Sequence, residues 1–397
     1  MISIKKPSVV SNDGKAILSA DVVVDGDKHC LWVGVEEEFG NYLCYERSDA
    51  FVLGLLQYAI RYGHNIECEV PMTDRLYEQL HDQFLPALCK MNPKSVRRMV
   101  TIKCDLAPEI EHPTGGQAIG TGCSCGVDSL HVYCAHKDVT HGCVWNVHGI
   151  TVDEDDEKRK VGWENLVRHS QKFANEAGIK LLVADSNYDR GCLPELLFDG
   201  GTTFGNLFFI FALQKLWKKF YVASGYDISD FKLDFSGDPA HYEYLLFSFC
   251  SLANISILLD GVAQRRIDKV GDLKNYPLAK KHLNVCWNIS EDGNNCSYRC
   301  AKCMRTMLDL DMVGALDGFD RIFDVTYYRK NFHEYLAEFY RGCLHKDSFA
   351  LELRPYMKQK RISLRIRVKA LIIVTRKILR KIIRLGKRDH SRFSSKG

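Results

Sequence analysis

The chain has 397 residues, of which 46% are apolar, so it can bury a sizeable core and a largely disordered chain is excluded. Its net charge of +4 is divided unevenly. Residues 354–397 hold 16 Lys and Arg against one acid, a net of +15 that leaves −11 for the rest of the chain. An acidic body with a basic tail indicates that the tail has a binding partner.

The sixteen cysteines are mostly single and scattered, which is typical of reduced, buried thiols. Residues 1–11 lack the apolar core of a signal peptide, and the longest uncharged runs, 200–214 and 244–259, are shorter than the roughly 18–20 residues of a transmembrane helix. We therefore expect a cytoplasmic protein in which clustered cysteines bind metal.

The first hundred residues alternate strand and helix signals. They predict strands at Cys30–Val35, Ile66–Val70 and Arg98–Cys104, and helices at Asp49–Arg61 and Asp74–Leu88. Two prolines and two glycines in residues 108–116 indicate a linker. Residues 1–114 are thus predicted to form an N-terminal α/β domain, which we expect to shape a substrate pocket.

Beyond the linker the pattern changes to repeated strand–helix units. Strands are predicted at Ala118–Gly122, Cys143–His148, Lys180–Ala184, Phe220–Ala223 and Asn254–Leu258. Helices are predicted at Ser129–His136, Glu157–Ala177, Phe204–Lys218, Gly261–Val270 and Ala301–Val313. This alternation predicts an α/β domain at 115–350, with a parallel sheet that binds ligands beyond the carboxyl ends of its strands.

The sequence SCGVDS at Ser124–Ser129 follows the first strand of this region and opens a helix. Gly126 allows close backbone approach, and successive N–H groups at a helix N-terminus favour an anion. The hydroxyls of Ser124 and Ser129 add donors, and Asp128 fits an anion site if Mg²⁺ joins it to phosphate. The alternative is an ordinary strand-to-helix turn in which Asp and Ser cap the helix.

Four cysteines are clustered within eighteen residues: Cys286, Cys296, Cys300 and Cys303. Four thiolates at short spacing suit tetrahedral Zn²⁺ with no open position, which is a structural site. The alternatives are chance clustering in a cysteine-rich chain and a redox dithiol at Cys300 and Cys303.

The loop resembles the PP-loop, SGGxDS, of N-type ATP pyrophosphatases. Loop and cysteine cluster together resemble 7-cyano-7-deazaguanine synthase, a PP-loop enzyme with a C-terminal four-cysteine zinc site. The likeness is closer to PP-loop proteins of bacterial surface-polysaccharide gene clusters, which carry SGGVDS, NVHG, R-x-x-K and NCGxCxKCxRTM. The matching segments, which lie within residues 28–318, are SCGVDS at 124–129, NVHG at 146–149, RIDK at 266–269 and NCSYRCAKCMRTM at 295–307.

The sequence departs from this family at two positions. Cys125 replaces a glycine, which strains the loop if that position needs a positive φ and is tolerable if it needs only a small side chain. One residue is inserted between Cys296 and Cys300, where the family has C-x2-C. The zinc site is expected to tolerate the insertion, whereas the substitution bears directly on ATP turnover.

The resemblance implies a Rossmann-like PP-loop domain that uses ATP, Mg²⁺ and Zn²⁺ to adenylate a small carboxylate for attack by a nitrogen or sulfur nucleophile. The implied nucleotide-binding residues are Ser124, Cys125, Gly126, Val127, Asp128, Ser129, Asn146, His148, Ser224 and Gly225. The implied catalytic residues are Asp128, Ser129, Arg266 and Lys269, although Arg266 and Lys269 equally fit a solvated helix face. His148 equally fits a capped core position, and the loop at Asp189-Arg190 is the expected entry for substrate.

Residues 351–397 form the basic tail, in which Leu371, Val374, Ile378, Ile382 and Leu385 share one helical stripe opposite Arg376, Arg380, Arg384 and Arg388. Such a helix is typical of binding to an anionic membrane surface, here the inner membrane surface, or to an acidic protein partner. Nucleic acid is disfavoured, because the tail lacks stacking aromatic residues and the body is acidic. The sequence is compatible with a homodimer.

Two hypotheses of different class follow. The first is a zinc-stabilised, ATP-dependent adenylating enzyme, placed by the resemblance in cell-surface polysaccharide synthesis. The second is a degenerate PP-loop protein that binds nucleotide without turnover and acts as a regulatory or scaffold subunit. Cys125 is the residue that separates them.

Overall fold

The computed structural model describes residues 1–96, 98–146, 157–188, 192–193, 202–286, 293–298 and 300–394, and it describes only the backbone of Asn146, 157–159 and 381–394. The chain divides into two compact units, Met1–Gln264 and Arg265–Gly397. The domain boundaries predicted from the sequence motifs give the ranges 1–114, 115–350 and 351–397. The compact units of the structure instead separate between residues 264 and 265.

The N-terminal part of the first unit contributes eight strands. They are β1 Ile2–Ile4, β2 Ser8–Asn12, β3 Lys15–Val24, β4 Asp27–Glu36, β5 Ile66–Cys68, β6 Met72–Thr73, β7 Ile102–Lys103 and β8 Leu106–Ala107. In β3, alternate side chains from Ala16 to Val24 are buried, as expected for a strand with one face on the core. The short strands β6 and β8 form a separate pair.

The second part of this unit supplies five more strands. They are β9 Ala118–Gly122, β10 His141–Asn146, β11 Lys180–Ser186, β12 Trp217–Ala223 and β13 Ser256–Asp260. They form a parallel array in the order β13-β12-β9-β10-β11. Strand β11 then pairs antiparallel with β4, so one eleven-stranded sheet runs through the whole unit. The protein is therefore α/β with a mostly parallel central sheet, as predicted.

Seven α-helices belong to the described part of the first unit: α1 Asp49–Tyr62, α2 Asp74–Tyr77, α3 Leu85–Met91, α4 Val127–Ala135, α5 Glu157–Ala177, α6 Thr203–Ala212 and α7 Glu243–Ser248. A π-helical segment, Glu78–Phe84, joins α2 to α3. Helix α1 packs on α6 through Phe51 and Phe208, whose ring centroids are 5.6 Å apart, and the Tyr188 hydroxyl donates to the Gly54 carbonyl at 2.7 Å. These contacts join the two parts of the unit in one core.

Several predicted elements need correction. Helix α6 ends at Ala212, not at Lys218, because Trp217 already begins β12. The helix expected at Gly261–Val270 begins at Arg266, since Gly261 has a φ of 71° and belongs to the preceding turn. The strand expected at Arg98–Cys104 is reduced to β7, and the hairpins of β1–β4 were not predicted beyond the Cys30–Val35 part of β4.

The second unit is helical in its described residues. Its helices are α8 Arg266–Leu273, α9 Pro277–His282, α10 Ala301–Met312, α11 Val325–Lys330, α12 Phe332–Leu344, α13 Ser348–Glu352, α14 Arg354–Gln359 and α15 Leu364–Ser394. Helix α10 packs on α8 and α12, and α12 packs on α15. Throughout the described residues, no helix is both long and apolar enough to cross a bilayer.

Candidate nucleotide site and candidate metal centre

The parallel strands have an order that places a crevice at one position of the sheet. Counted from β9 along the chain, their spatial order is 3-2-1-4-5, so the direction of winding reverses between β9 and β12. In open sheets of this kind, ligands bind beyond the carboxyl ends of the two strands at the reversal. The segment Ser124–Ser129 follows β9, and Ser224-Gly225 follows β12. The structure thus brings both predicted segments to the reversal.

The loop after β9 leads directly into the N-terminus of α4. The Cys123 N–H donates to the Cys143 carbonyl at 2.7 Å, which continues the pairing of β9 with β10, and Gly126 is the residue before the first helical turn. Gly126 has no side chain with which to cap the helix, and its N–H donates to the Ser124 hydroxyl at 3.4 Å. Ser124 is exposed, while Gly126 and Asp128 are half-buried. The first-turn N–H groups of α4 lie beside these three residues, in a geometry that favours an anion.

Cys125 adopts the left-handed conformation, with a φ of 56°. A residue with a β-carbon pays roughly 1–2 kcal/mol for this geometry, whereas glycine adopts it freely. The side chain of Cys125 is fully buried and shares a hydrogen bond with the Cys123 sulfur. This bond and burial raise the pKa of Cys125 well above that of an ordinary thiol. The same hydrogen bond lowers the pKa of Cys123, so within this pair Cys125 is the donor and keeps its proton.

Three side-chain hydroxyls donate hydrogen bonds to backbone carbonyls at the start of the loop. The Ser129 hydroxyl donates to the Gly122 carbonyl at 3.0 Å, and the Tyr133 hydroxyl donates to the same oxygen at 3.3 Å. The Ser170 hydroxyl donates to the Cys123 carbonyl at 2.6 Å. Ser129 therefore turns toward β9 here, and its predicted contact with phosphate stays a prediction.

Helix α4 is also tied to the end of β13. Asp260 accepts hydrogen bonds from His131 Nδ1 at 2.8 Å and His136 Nε2 at 2.6 Å. Burial raises the pKa of the Asp260 carboxyl, but the two histidine hydrogen bonds outweigh burial and leave that pKa below its ordinary value. These two contacts fix the orientation of α4 relative to the sheet. No local sequence pattern indicates these contacts, because the three residues lie up to 129 positions apart.

The two strand ends at the reversal leave space for a ligand. A β-carbon added at Gly122 or at Gly225 would meet no atom within 4 Å. Ser224 is buried, its N–H donates to the Asp260 carbonyl at 3.0 Å, and its hydroxyl donates to the Tyr226 carbonyl. Ser224 thus shapes the turn, and Gly225 presents backbone to open space.

Other predicted site residues lie elsewhere or outside the described part. Asn146 ends β10, but only its backbone is described, and His148 and Asp189-Arg190 lie outside the described residues. Arg266 and Lys269 are on α8 in the second unit, where Lys269 is 1% exposed. Arg266 bonds Thr306 Oγ1 at 3.2 Å and pairs with buried Asp309 at 3.5 Å.

The four clustered cysteines converge in the second unit. The sulfurs of Cys286, Cys296, Cys300 and Cys303 all lie within 4.8 Å of one another, and those of Cys296 and Cys303 are 3.6 Å apart. Tetrahedral zinc with Zn–S bonds of about 2.3 Å requires sulfurs about 3.8 Å apart. The four-cysteine group can therefore hold a metal such as zinc.

The peptide segments around the cysteines are shaped by hydrogen bonds. Cys300 caps α10, its sulfur accepting from the Cys303 N–H at 3.4 Å. Ser297, in the turn between Cys296 and Cys300, has a φ of 60°. Buried Asn295 accepts from the Val285 N–H and donates to the Leu283 carbonyl, both at 2.8 Å. The four cysteines thus converge with three residues between Cys296 and Cys300.

The donor set fits a divalent, thiophilic cation. Hydrogen bonding with Cys300, burial and the neighbouring cysteines together raise the pKa of Cys303 far above its ordinary value, because adjacent thiolates repel. A bound cation removes that repulsion, and four soft ligands leave no open position for substrate. The arrangement is that of a structural centre.

Comparison of the chain with protein-family models, with curated proteins and with solved structures finds no match. The fold and the two sites are therefore interpreted from the geometry above.

Proposed function

We propose that the chain is an ATP-dependent adenylating enzyme that activates a small carboxylate for attack by a nitrogen or sulfur nucleophile. One observation carries this proposal: the loop Ser124–Ser129 lies between β9 and the N-terminus of α4, at the β9/β12 reversal of a 3-2-1-4-5 sheet. A helix N-terminus at a reversal suits the phosphates of a nucleotide. The resemblance of the loop to the PP-loop motif supports ATP in particular.

Each group at the loop has a role in this proposal. The first-turn N–H groups of α4 and the Ser124 hydroxyl hold the β and γ phosphates. Asp128 holds Mg²⁺, which neutralises phosphate charge when bound. The open space at Gly122 and Gly225 admits the remainder of the nucleotide between the two strand ends.

The chemistry follows from that placement. A carboxylate oxygen of the substrate attacks the α-phosphorus of ATP, the bond from that phosphorus to the α–β bridging oxygen breaks, and pyrophosphate leaves from the loop. The acyl adenylate then reacts with the nucleophile and releases AMP. The loop contributes positioning and stabilisation of the charge on the leaving pyrophosphate, not a covalent step. Cell-surface polysaccharide synthesis is the setting that the resemblance suggests.

We propose zinc at Cys286, Cys296, Cys300 and Cys303 as a structural ion. It joins the start of α10 to the two preceding segments, and it takes no part in the reaction. Arg266 and Lys269 stay candidates for binding phosphate or a substrate carboxylate. Arg266 would have to exchange its contacts with Thr306 and Asp309 for that ligand.

A second candidate function has one observation in its favour. Cys125 is held at a positive φ in the position where the PP-loop motif has glycine, so the loop stores strain. A loop altered in this way suits a regulatory or scaffold subunit that binds nucleotide without turnover. If the natural loop is impaired, Cys125→Gly raises AMP formation many-fold.

The test is incubation of the purified, zinc-loaded chain with Mg²⁺ and ATP labelled at the α-phosphate, resolving AMP from ADP. The proposal predicts slow AMP release that Asp128→Ala abolishes, with Asp138→Ala as the control for an acidic residue elsewhere in the unit. AMP formed only by Cys125→Gly supports the second candidate. Label that appears as ADP, or AMP that persists in Asp128→Ala, contradicts α–β cleavage at this loop.

A further inference from the structure

Helix α15 carries a row of exposed apolar side chains. Of the nineteen large apolar side chains that are exposed among the described residues, six lie within sixteen positions of this helix. They are Leu364, Val368, Leu371, Ile372, Ile378 and Leu379. At 100° per residue they fall on one face, which we call the apolar stripe, and it runs for about 24 Å along the helix.

Two buried residues of α15 show which face of this helix packs on α12. Ala370 and Val374 are buried, and α15 packs on α12. Lys377 adds an ion pair with Glu338 of α12 at 3.6 Å. The stripe expected from sequence is thus corrected: Val374 belongs to the face that packs on α12, whereas Leu371 and Ile378 belong to the exposed one.

Cations border the apolar stripe and acids do not. Arg365, Lys369, Arg376 and Arg380 are exposed and follow one edge of the stripe. The sequence from 354 to 388 contains no Asp or Glu. A cavity of about 450 Å³ beside the first turn of α15 adds Arg354, Lys358 and Arg367 to apolar residues of α12 and α14. An anionic partner therefore fits this side of the helix.

We propose that the apolar stripe of α15 lies on an anionic lipid membrane surface. A straight row of Leu, Ile and Val beside a row of cations suits insertion to the depth of the headgroups, with the cations on lipid phosphates. A second copy of the chain would bring an equally basic α15 to the stripe, whereas lipid phosphates neutralise the cations beside it. The proposal does not depend on the nucleotide site.

The experiment is co-sedimentation of the full chain with vesicles of phosphatidylcholine, with and without about one third phosphatidylglycerol. We expect binding to the anionic vesicles only, weakened by high salt. Leu371→Ser combined with Leu379→Ser, and separately Arg376→Gln combined with Arg380→Gln, should each lower the partition coefficient about tenfold or more. Val10→Ser combined with Leu106→Ser removes two exposed apolar side chains from the other unit and should change nothing.

Three results would overturn the proposal. They are a wild-type chain that stays in the supernatant with both vesicles, equal sedimentation of the stripe variant and the control variant, and a concentration-dependent dimer that the stripe variant loses. The last would show that a second copy of the chain covers the stripe. Unfolding midpoints of both variants verify that α15 has kept its packing on α12.

Discussion

At the scale of single residues, the loop after β9 shows which inferences a sequence supports. Gly126, Asp128 and the two serines predict an anion site by residue type, and the structure places them at the reversal of the sheet. The sequence left two alternatives for Cys125, a positive φ or a need only for a small side chain, and the structure shows the first, with a φ of 56°. The hydrogen bond between Cys123 and Cys125 was hidden.

The backbone at Cys125 predicts an unusual order of stability. Cys125→Gly removes the strain of a positive φ, whereas Cys125→Ala keeps it and also loses the buried sulfur. We expect the glycine variant to be the more stable of the two by about 1 kcal/mol in urea unfolding. At Cys134, in helix α4, the order should reverse, with alanine ahead by about 1 kcal/mol. If the same variant, glycine or alanine, were the more stable at both positions, the left-handed conformation of Cys125 would be contradicted.

The contacts of Asp260 predict a second residue-scale effect. Asp260→Asn retains the shape of the side chain but weakens two buried hydrogen bonds, so the free energy of unfolding should fall by about 1–3 kcal/mol. Because the pKa of Asp260 is lowered in the folded state, its stabilisation is complete above the unfolded-state pKa of about 3.9 and is lost as pH falls through the lower, folded-state value.

Urea unfolding of Asp138→Asn provides the comparison. Asp138 is more exposed, with a side chain 42% accessible and paired with Lys219 at 3.1 Å, so its loss should be smaller, below about 1 kcal/mol. An Asp260 variant as stable as the Asp138 variant would show that Asp260 does not hold α4.

At the scale of elements, strong hydrophobic periodicity was sufficient to predict the parallel strands and the long helices between them. β9 begins and ends at the predicted residues, and α5 ends at the predicted Ala177, because clear turn residues follow these β-rich and helix-period runs. The β2–β3 and β3–β4 hairpins were missed although their turns, Asp13-Gly14 and Asp25-Gly26, are two-residue turn sequences with positive φ at both residues. The alternation of apolar and other residues in β3 was a second signal that could have predicted this strand.

The cysteine-bearing segments predict that the second unit depends on metal. The purified chain should contain one zinc per molecule, and Cys296→Ser or chelation should destabilise the second unit by about 3 kcal/mol or more. The measurement is zinc content together with hydrogen exchange, which should show protection lost along α10 and retained in β9–β13. Cys343→Ser, a half-buried cysteine of the same unit outside the cluster, is the control. An equal loss in both variants would contradict a metal centre.

At the scale of the whole molecule, the main surprise is that one sheet spans residues from β1 to β13. The linker at 108–116 suggested a domain boundary, yet β4 pairs with β11, and Asn187 bonds to Trp32 N and Cys30 O at the end of that pairing. Residues about 150 positions apart make this junction. Such a pairing leaves no local pattern in the sequence, so the order of the strands and the 264/265 division had to come from the structure.

The central claim is that nucleotide phosphates bind the loop between β9 and α4, and hydrogen exchange with and without Mg²⁺ and ATP tests it most directly. We expect added nucleotide to protect peptides covering Ser124–Ser129 and the turn at Ser224-Gly225, and Asp128→Ala to reduce this protection. Strands β1–β3 of the same unit should be unchanged. No protection at the loop, or protection confined to other segments, would contradict the account.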